Sequence, residues 1–495
     1  MIPQSACQGR TYAWFTGDSL RVSPLTSGRP SHEGTTAIGN FFQRAGAKTR
    51  PDAGDTPTRS LRSAAMKDYP GRLNLFQVTM LDWREHHPYN AVHAAQILQP
   101  LDTAALAGAI DAELTRAGLT GLALDGARGR YVWRGGPSKV TLETIEPGAD
   151  WQASLAQAFE RHLNAPFVHE GAINPFRFFV MPVENAFFLG LAYDHFIAGG
   201  DSIVVLLNAI ADRYAGKPVP ATSMRLYPRT HAQLFLRHPL HFLRGLTRFP
   251  ALARSCRRTL RPRYRSIEDG HNAFLFFWIE AAHYAALRDA AKSWRVTLND
   301  ALMALLLLAQ DAAMRARDMN KHRHELAVAS IINLRRAHGE DTRTTFGQFL
   351  GSFRVSHPVP PGTRLDELAG DVHRATTRIK REKLFLTTLF AMAIDRAIGR
   401  WQTPAQRIGI YAKNYPVGAG VSLLNVDALW QSHPDARTPI YMRGVPTGPL
   451  SPIVAAVTTS GGRMCIGLSY RTTSVTREEA ARIGNDLVTR ISALP

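Results

Sequence analysis

The sequence predicts a mixed α/β (α+β) fold built from two halves of similar length. Stretches with apolar residues at helical spacing alternate with short apolar runs typical of β-strands. Of the 495 residues, 45% are hydrophobic and 20% are charged, which is typical of a globular protein with well-buried cores. No stretch reaches about 18 uninterrupted apolar residues, the length that a membrane-spanning helix needs. We therefore expect a folded mixed α/β protein without a transmembrane helix.

Composition divides the chain into four parts. Residues 1–65 are rich in Gly, Ser, Thr, Pro and Arg and show no sustained helix or strand period, so we predict a disordered extension there. A first subdomain is expected over residues 66–220 and a second over residues 272–495. Between them, residues 221–271 are predicted to form a basic connection.

The first subdomain is predicted to contain strands and helices in a definite order. A strand is followed by a helix that Asp102 or Thr103 caps, then by two short strands and an amphipathic helix that ends near Pro166. Two apolar strand patterns then flank a turn over residues 182–185 and form a hairpin. In chain order the stretches are YNAVHAAQILQP, LDTAALAGAIDAELTRAG, YVWR, VTLETIEP, WQASLAQAFERHLN, NPFRFFVMP and NAFFLGLAYDH.

The hairpin leads into the stretch with the clearest candidate chemistry, FFLGLAYDHFIAGGDSIVVLL over residues 187–207. An apolar strand ends at Asp194 and His195, a turn with two glycines follows, and a helix pattern restarts after Asp201. An imidazole can take a proton from an alcohol or amine and return it near neutral pH. His195 is therefore a candidate general base, with the alternative that it is a hydrogen-bonded structural residue.

The second subdomain is predicted to begin with a strand, a helix and a long buried helix that starts near Thr297. A strand then runs into Arg335, and a further strand and two helices follow. A hairpin that turns at Gly461 and Gly462 and a helix from about Thr476 complete the chain. In order the stretches are AFLFFWIEA, AAHYAALRDAAKSW, VTLNDALMALLLLAQDAAMRARD, ELAVASIINLRRAH, FGQFLGSFRVSHPVP, LDELAGDVHRATTRIKREKL, FLTTLFAMAIDRAIGR and SPIVAAVTTSGGRMCIGLSYRTT.

The chain is strongly basic, with a formal net charge of +19, and residues 225–265 hold eleven arginines and no acidic residue. Interleaved leucines and phenylalanines make this segment compatible with a basic amphipathic helix on an anionic membrane surface, or with a solvated connection between the subdomains. The net charge also suits anionic thioester substrates, and an arginine-rich proteome would produce it without a specific partner. No nucleic-acid reader motif is present, so we expect no nucleic-acid partner.

Metal and disulfide chemistry are not expected. The three cysteines, Cys7, Cys256 and Cys465, are widely separated and form no CxxC pair. There is no HExxH motif, and the paired histidines lie among arginines and lysines, which repel cations. The N-terminus lacks the basic-then-apolar order of a signal peptide, so we expect a cytoplasmic protein, with peripheral membrane association as an alternative.

The segment from Asp194 to Gly200 resembles the HHxxxDG motif of the superfamily that contains chloramphenicol acetyltransferase, the condensation domains of nonribosomal peptide synthetases and the bacterial wax ester synthases. Asp194 takes the place of the first histidine, His195 that of the second, Gly199 that of the aspartate and Gly200 that of the glycine. The preceding order of helix, proline turn and hairpin is similar as well. The resemblance runs from about residue 66 to the end of the chain.

The resemblance implies two chloramphenicol acetyltransferase-like open-sheet domains with the active site at their interface, and His195 as the general base. In that family the motif aspartate pairs with an arginine that follows a strand, a position that Arg335 matches. We therefore predict that Arg335 pairs with Asp201 or Asp194 and orients the His195 loop. The alternative is an arginine that is exposed beyond the end of the strand.

A further stretch, GVSLLNVDALW, resembles the segment that lines the active-site tunnel in several family members. Ser422 and Asn425 are its polar residues and are candidate substrate contacts, since a hydroxyl or an amide can polarise an acyl carbonyl. Polar residues at strand ends otherwise satisfy backbone groups.

These observations together predict an acyltransferase that moves an acyl group from a CoA or carrier-protein thioester to a hydroxyl or amine, without a metal or other cofactor. Such a reaction belongs to lipid or secondary-metabolite biosynthesis. Asp194 and Gly199 depart from the motif, so a non-catalytic condensation-like binding module for a carrier protein or biosynthetic partner is an alternative. A peripheral membrane protein that uses residues 225–265 is another.

Overall fold

The computed structural model describes residues 69–126, 128–138, 140–168, 171–218, 226, 231–315, 320–399, 401–430 and 440–495. The predicted N-terminal extension lies outside these described residues, and so does part of the predicted basic connection.

Fourteen β-strands lie within the described ranges. They are β1 (Tyr69–Arg72), β2 (Asn90–Ile97), β3 (Leu122–Asp125), β4 (Arg130–Trp133), β5 (Leu142–Thr144), β6 (Phe176–Val183), β7 (Ala186–Asp194), β8 (Asn272–Ile279), β9 (Leu326–Asn333), β10 (Leu350–His357), β11 (Ala419–Asn425), β12 (Tyr441–Gly444), β13 (Ile453–Ser460) and β14 (Arg463–Arg471).

The same ranges contain fourteen α-helices. They are α1 (Leu75–Arg84), α2 (Thr103–Arg116), α3 (Trp151–Asn164), α4 (Gly200–Tyr214), α5 (Ala232–Arg237), α6 (Pro239–Leu246), α7 (Phe249–Arg258), α8 (Ala281–Ser293), α9 (Leu298–Arg315), α10 (Arg335–His338), α11 (Leu365–Arg381), α12 (Phe385–Gly399), α13 (Pro404–Asn414) and α14 (Arg477–Ser492).

The strands form two large open sheets and one small one. The first half of the chain supplies most of a five-stranded sheet of order β12-β2-β7-β6-β5, and the second half forms a six-stranded sheet of order β10-β9-β11-β13-β14-β8. Three strands of the first half form a separate small sheet of order β1-β4-β3. Most pairs are antiparallel, and β11 is parallel to both of its neighbours. The predicted mixed α/β class with open sheets is confirmed.

Both predicted hairpins are present. β6 and β7 pair antiparallel around Asn185, whose φ is 50°, and β13 and β14 pair around Gly461 and Gly462, whose φ values are 55° and 74°. Two consecutive residues with positive φ match the right-handed twist of a two-residue hairpin, which favours glycine there. The first hairpin carries the chain to Asp194 at the end of β7.

The two halves share a core and a strand. Phe159 of α3 stacks on Phe274 of β8 with ring centroids 5.1 Å apart, and both rings are buried. β12, from the second half, pairs antiparallel with β2 of the first half. Sequence patterns did not indicate β12, because four residues are too few to show a periodicity. Its close packing on β14 depends on Gly467, where any Cβ would collide with the backbone carbonyl of Arg443.

The basic segment forms three short helices rather than one long amphipathic helix. α6 begins at Pro239 and α7 has Pro250 in its first turn, and proline is tolerated only at such positions because it lacks an N–H donor. The subdomain boundaries placed around this segment remain a prediction.

No single helix in the described ranges combines the length and the apolar composition that crossing a membrane requires. α8 and α9 meet that requirement only when taken together, and they are bent by 105° at the break between them.

Replacement of Gly467 by alanine should weaken the junction between the two sheets. The added methyl group has to displace the backbone of β12, so we expect Gly467→Ala to lower the free energy of unfolding by about 1–3 kcal/mol in urea titrations. Gly108→Ala is the matched control, since nothing lies within 4 Å of its Cβ position in α2, and helix propensity should stabilise it by up to about 1 kcal/mol. Equal stability of the two variants would contradict this view of Gly467.

Candidate active site

A cavity of about 220 Å³ lies where the end of β7 and the start of α4 face the strands of the second half. Tyr89, His195 and Gly200 line it from the first half, and Ser330 and Ser422 line it from the second. Much of the remaining lining is apolar. The structure therefore brings the predicted base of the first half together with β11 of the second half around one cavity.

Hydrogen bonds to backbone groups hold the loop that carries His195. Its backbone N–H donates to the Tyr89 carbonyl at 3.1 Å, and its carbonyl accepts from Nε2 of Gln348 at 3.0 Å. Gly199 N–H donates to the Gly347 carbonyl at 3.1 Å. Because Gln348 and Gly347 belong to the second half, the position of His195 depends on both halves of the chain.

The imidazole of His195 is neutral at physiological pH. Burial lowers its pKa to about 4; the Ala198 carbonyl opposes this shift, and the positive charge of Arg443 adds to it. Nδ1 is buried whereas Nε2 is not, so Nε2 is the nitrogen available to a molecule in the cavity. The ring stacks on Tyr89 and meets Tyr193 edge-on, each with centroids 5.8 Å away, and these contacts restrict its orientation.

Asp194, which stands at the first histidine of the motif, does not serve as the partner of Arg335. Its carboxylate is 1% exposed and lies 2.6 Å from Nη1 of Arg84. Burial raises the pKa of Asp194 to about 6, more strongly than Arg84 lowers it. Asp194 therefore belongs to a separate buried ion pair at the end of β7.

Arg335 pairs with Asp201, the other carboxylate considered for it. Nε of Arg335 lies 2.7 Å from Oδ2 of Asp201, and Nη2 donates to the Ser202 hydroxyl at 2.5 Å. The guanidinium also donates to the carbonyls of Thr345 and Gly347 and lies over the ring of Phe349. Both charged side chains are nearly buried, so each depends on the other for compensation.

The position of the Asp201 carboxylate explains why residue 199, which stands at the aspartate of the motif, is a glycine. Gly199 precedes α4 with extended backbone angles, and a Cβ placed on it would lie 2.8 Å from Oδ1 of Asp201. A side chain at position 199 would thus compete for the space that the Asp201 carboxylate occupies. Asp201 supplies the carboxylate for Arg335 from the first turn of α4, two residues later in the chain.

The two predicted substrate contacts on β11 differ in their positions. Ser422 lines the cavity, and its hydroxyl and carbonyl oxygens accept hydrogen bonds from Arg443 at 3.4 and 2.6 Å. Asn425 is exposed at the end of β11 and does not belong to the cavity lining. Of the two predicted contacts, only Ser422 therefore lines the cavity.

Sequence reasoning missed a buried polar group behind the cavity. Nδ1 of His93 lies 2.7 Å from the hydroxyl of Tyr441, and its Nε2 lies 3.5 Å from the hydroxyl of Tyr193. Burial is the main cause that lowers the pKa of His93, and the positive charge of Arg443 is the next. One signal was visible: His93 interrupts an otherwise apolar strand pattern, NAVHAAQI. Arg443 lies on the short β12 and gave no comparable signal.

No group of three or more His, Cys, Asp or Glu side chains in the described part of the chain is arranged to hold a metal ion.

Breaking the Arg335–Asp201 pair should destabilise the protein strongly. Asp201→Asn and Arg335→Met each leave one charge buried without its partner, so we expect each to lower the free energy of unfolding by about 3–5 kcal/mol. The double variant should recover part of this loss, because neither charge remains. Urea unfolding measures all three.

The exposed pair Arg364 and Asp366, with nitrogen and oxygen 2.8 Å apart, is the matched control. Because solvent screens the charges of the exposed pair, Arg364→Met should leave the free energy of unfolding nearly unchanged. A loss at Arg335 no larger than at Arg364 would contradict the structural role assigned to the buried pair.

No family model matches the chain, and no curated protein matches it. Solved structures do. The first condensation domain of the CDA synthetase is similar with a TM-score of 0.62 at 14% identity, over 86% of this chain and 96% of that domain. The epimerization domain from the third module of tyrocidine synthetase B has a TM-score of 0.58 at 11% identity, over 87% and 97%.

Polyketide synthase associated protein 5 from Mycobacterium tuberculosis is also similar, with a TM-score of 0.54 at 16% identity, over 85% of this chain and 98% of that protein. At these identities the likeness concerns the fold, and it extends over nearly the whole of each neighbour. The chain thus has the two-domain fold of the condensation domains and chloramphenicol acetyltransferase-like proteins.

Proposed function

We propose that the protein transfers an acyl group from a CoA or carrier-protein thioester to a hydroxyl or amine, with His195 as the general base. The observation that carries this proposal is a neutral imidazole, fixed by both halves of the chain, that lines the cavity between them. A general base has to be unprotonated at the working pH and within reach of the substrate.

In the proposed reaction the acceptor O–H or N–H gives its proton to Nε2 as its oxygen or nitrogen attacks the thioester carbonyl. A tetrahedral intermediate forms, and its negative charge lies on the former carbonyl oxygen. When the carbonyl re-forms, the carbon–sulfur bond breaks and the thiolate takes the proton from His195. The imidazole returns to its neutral form, so the cycle needs no covalent enzyme intermediate.

An apolar cavity beside the first one could hold the acyl chain. A second cavity of about 280 Å³ shares Ser352 and Leu450 with the lining of the first, and its walls include Phe249, Leu252 and Met392. Ligand sites are commonly apolar cavities with a few polar groups. This adjoining space favours an apolar acyl group over a strongly polar one.

Gly199 and Asp194 depart from the motif, and this is the argument for a binding module without catalytic activity. Loss of the motif aspartate at Gly199 is compensated, because Asp201 occupies the same space and pairs with Arg335. Asp194 replaces the first histidine, but it forms its own ion pair with Arg84 and leaves Nε2 of His195 open. Retention of the oriented base favours catalysis over a binding module for a carrier protein or biosynthetic partner.

The fold alone does not select the reaction, since the structural neighbours include both condensation and epimerization domains. The choice of acyl transfer therefore rests on the residues of this chain. Both candidate donors, acyl-CoA and an acyl carrier protein, are anionic, and a chain with a formal charge of +19 would attract either.

Replacement of His195 should abolish most of the activity. With a panel of acyl-CoA and carrier-protein thioesters and a mixed pool of alcohols and amines, we expect acceptor-dependent thiol release from the native protein. In His195→Ala the rate should fall at least about 100-fold, because the positioned base is lost. Free-thiol release measured with a chromogenic reagent checks this.

His322→Ala is the matched control, since His322 is exposed and far from the cavity lining, and it should keep the native rate. With an alcohol acceptor, kcat/KM should be constant from about pH 5.5 to 8, because a base whose pKa is about 4 stays neutral there. Native-like activity in His195→Ala would remove His195 from the mechanism. No release from any donor would favour the binding module.

A second candidate function, contact with an anionic membrane surface, is favoured by exposed leucines in the basic segment. Leu236, Leu240 and Leu243 of α5 and α6 are 81%, 70% and 56% exposed. Arg237 and Arg244 lie next to them in sequence. Apolar side chains beside arginines are the combination that inserts into the headgroup region of anionic bilayers.

Removal of the exposed leucines should reduce this binding. We expect the native protein to sediment with phosphatidylserine-containing vesicles but much less with neutral phosphatidylcholine vesicles, and the triple change of Leu236, Leu240 and Leu243 to serine to reduce sedimentation at least about tenfold. Exchange of the exposed Ile394 for serine serves as the control. Failure of the native protein to bind anionic vesicles even at low salt would contradict this function.

A further inference from the structure

Arg443 places a positive charge in the wall of the cavity, and no carboxylate compensates it. The side chain is 3% exposed, and among the ion pairs that the described residues form, none includes Arg443. The carboxylate that acts on it, Asp201, is already engaged by Arg335 at 2.7 Å. Burial lowers the pKa of Arg443 only to about 10, so the guanidinium stays charged at neutral pH.

The hydrogen bonds of Arg443 leave one N–H group of the guanidinium without an acceptor. Nε donates to the Thr458 hydroxyl at 3.0 Å, and Nη2 donates to the carbonyls of Ser422 and Val457 at 2.6 and 2.9 Å. Nη1 makes only a long contact of 3.4 Å with the Ser422 hydroxyl. Of the five N–H groups, one on Nη1 has no acceptor among the residues that the structure describes.

Nη1 lies beside Gly200, which also lines the cavity. A Cβ at Gly200 would be 3.2 Å from Nη1 and 3.3 Å from Cε1 of His93. The missing side chain therefore keeps the guanidinium next to the open space. Gly200 is also the first residue of α4, whose N-terminal end adds partial positive charge to the same spot.

Other groups around this point do not supply a negative charge. Burial lowers the pKa values of His93 and His195 and raises those of Tyr193 and Tyr441, so all four are neutral at physiological pH. The resting cavity thus has one uncompensated positive charge, and an ion of opposite sign bound there would offset the cost of burying it.

Burial without a carboxylate is not by itself the sign of a ligand site in this chain. Arg471 is 1% exposed, yet it donates to the carbonyls of Ile267 and Asp269, lies over the Tyr264 ring and is not part of the cavity lining. Nε of Arg471 is also buried without an acceptor among the described residues. What distinguishes Arg443 is that its N–H without an acceptor belongs to a side chain that lines the cavity.

We propose that Arg443 is the receptor for a carboxylate group on the acceptor molecule, which would be a small hydroxy acid or amino acid. One guanidinium among neutral neighbours matches a singly charged carboxylate, whereas a phosphate dianion would need more donors. A carboxylate held at Nη1 would lie in the same cavity as His195, the proposed base. The assignment to the acceptor rests on the proposed acyl transfer, but the anion site itself does not.

Binding without any thioester tests the site independently of catalysis. Ligand-observed NMR would compare 3-hydroxybutyrate with its neutral isostere 3-hydroxybutyramide. We expect the native protein to bind the carboxylate at least about tenfold more tightly than the amide, since hydrogen bonds to a charged partner are stronger than neutral ones. Because this comparison uses the native protein, it does not depend on whether a variant folds.

Variants then assign the effect to Arg443. The preference for the carboxylate should disappear in Arg443→Met, persist in part in Arg443→Lys, and weaken in Gly200→Ala, where the added methyl group lies against Nη1. Arg463→Met, which removes an exposed arginine, is the charge-matched control and should keep the native preference. Unfolding curves establish that each variant is folded.

Equal affinity of the native protein for the carboxylate and the amide would overturn the proposal. Inorganic phosphate that competes with the carboxylate and binds more tightly than it does would overturn the proposal as well. If the carboxylate preference is present but no acyl transfer occurs, the anion site stands and the proposed function fails. If His195-dependent acyl transfer occurs without any carboxylate preference, only the anion site fails.

Discussion

The pairing of Arg335 with Asp201 is the interaction on which the candidate site depends. It buries two opposite charges from the two halves of the chain, and its remaining donors reach Ser202 and the backbone of Gly347. Gly347 in turn accepts from the loop that carries His195. Since a buried charge without its partner is costly, this arrangement holds both halves and the His195 loop in a single geometry.

Burial also decides the charge state of the cavity. Burial keeps the imidazole of His195 neutral, and it leaves Arg443 as a cation of the cavity without a carboxylate partner. The positive charge of Arg443 in turn helps to lower the pKa of His195. A bound anion near Arg443 would reduce that effect and make His195 a stronger base. In this arrangement, substrate binding and base strength would be coupled through one electrostatic field.

The likeness to condensation and epimerization domains shows how little of the chemistry the fold itself determines. The fold is shared at 11% to 16% identity, whereas Asp194 and Gly199 stand where the resembled motif has a histidine and an aspartate. The carboxylate needed by Arg335 comes from Asp201 instead.

The sequence by itself determined the order of most strands and helices, both hairpins and the position of His195 at the end of its strand, because local periodicity and turn residues are encoded within a few neighbouring residues. It also narrowed the partner of Arg335 to two carboxylates. Only the tertiary structure decided between Asp194 and Asp201, excluded Asn425 from the cavity and placed β12 with Arg443 behind His195. Those outcomes depend on contacts between residues far apart in the chain, and burial, which sets the charges, exists only once these contacts have formed.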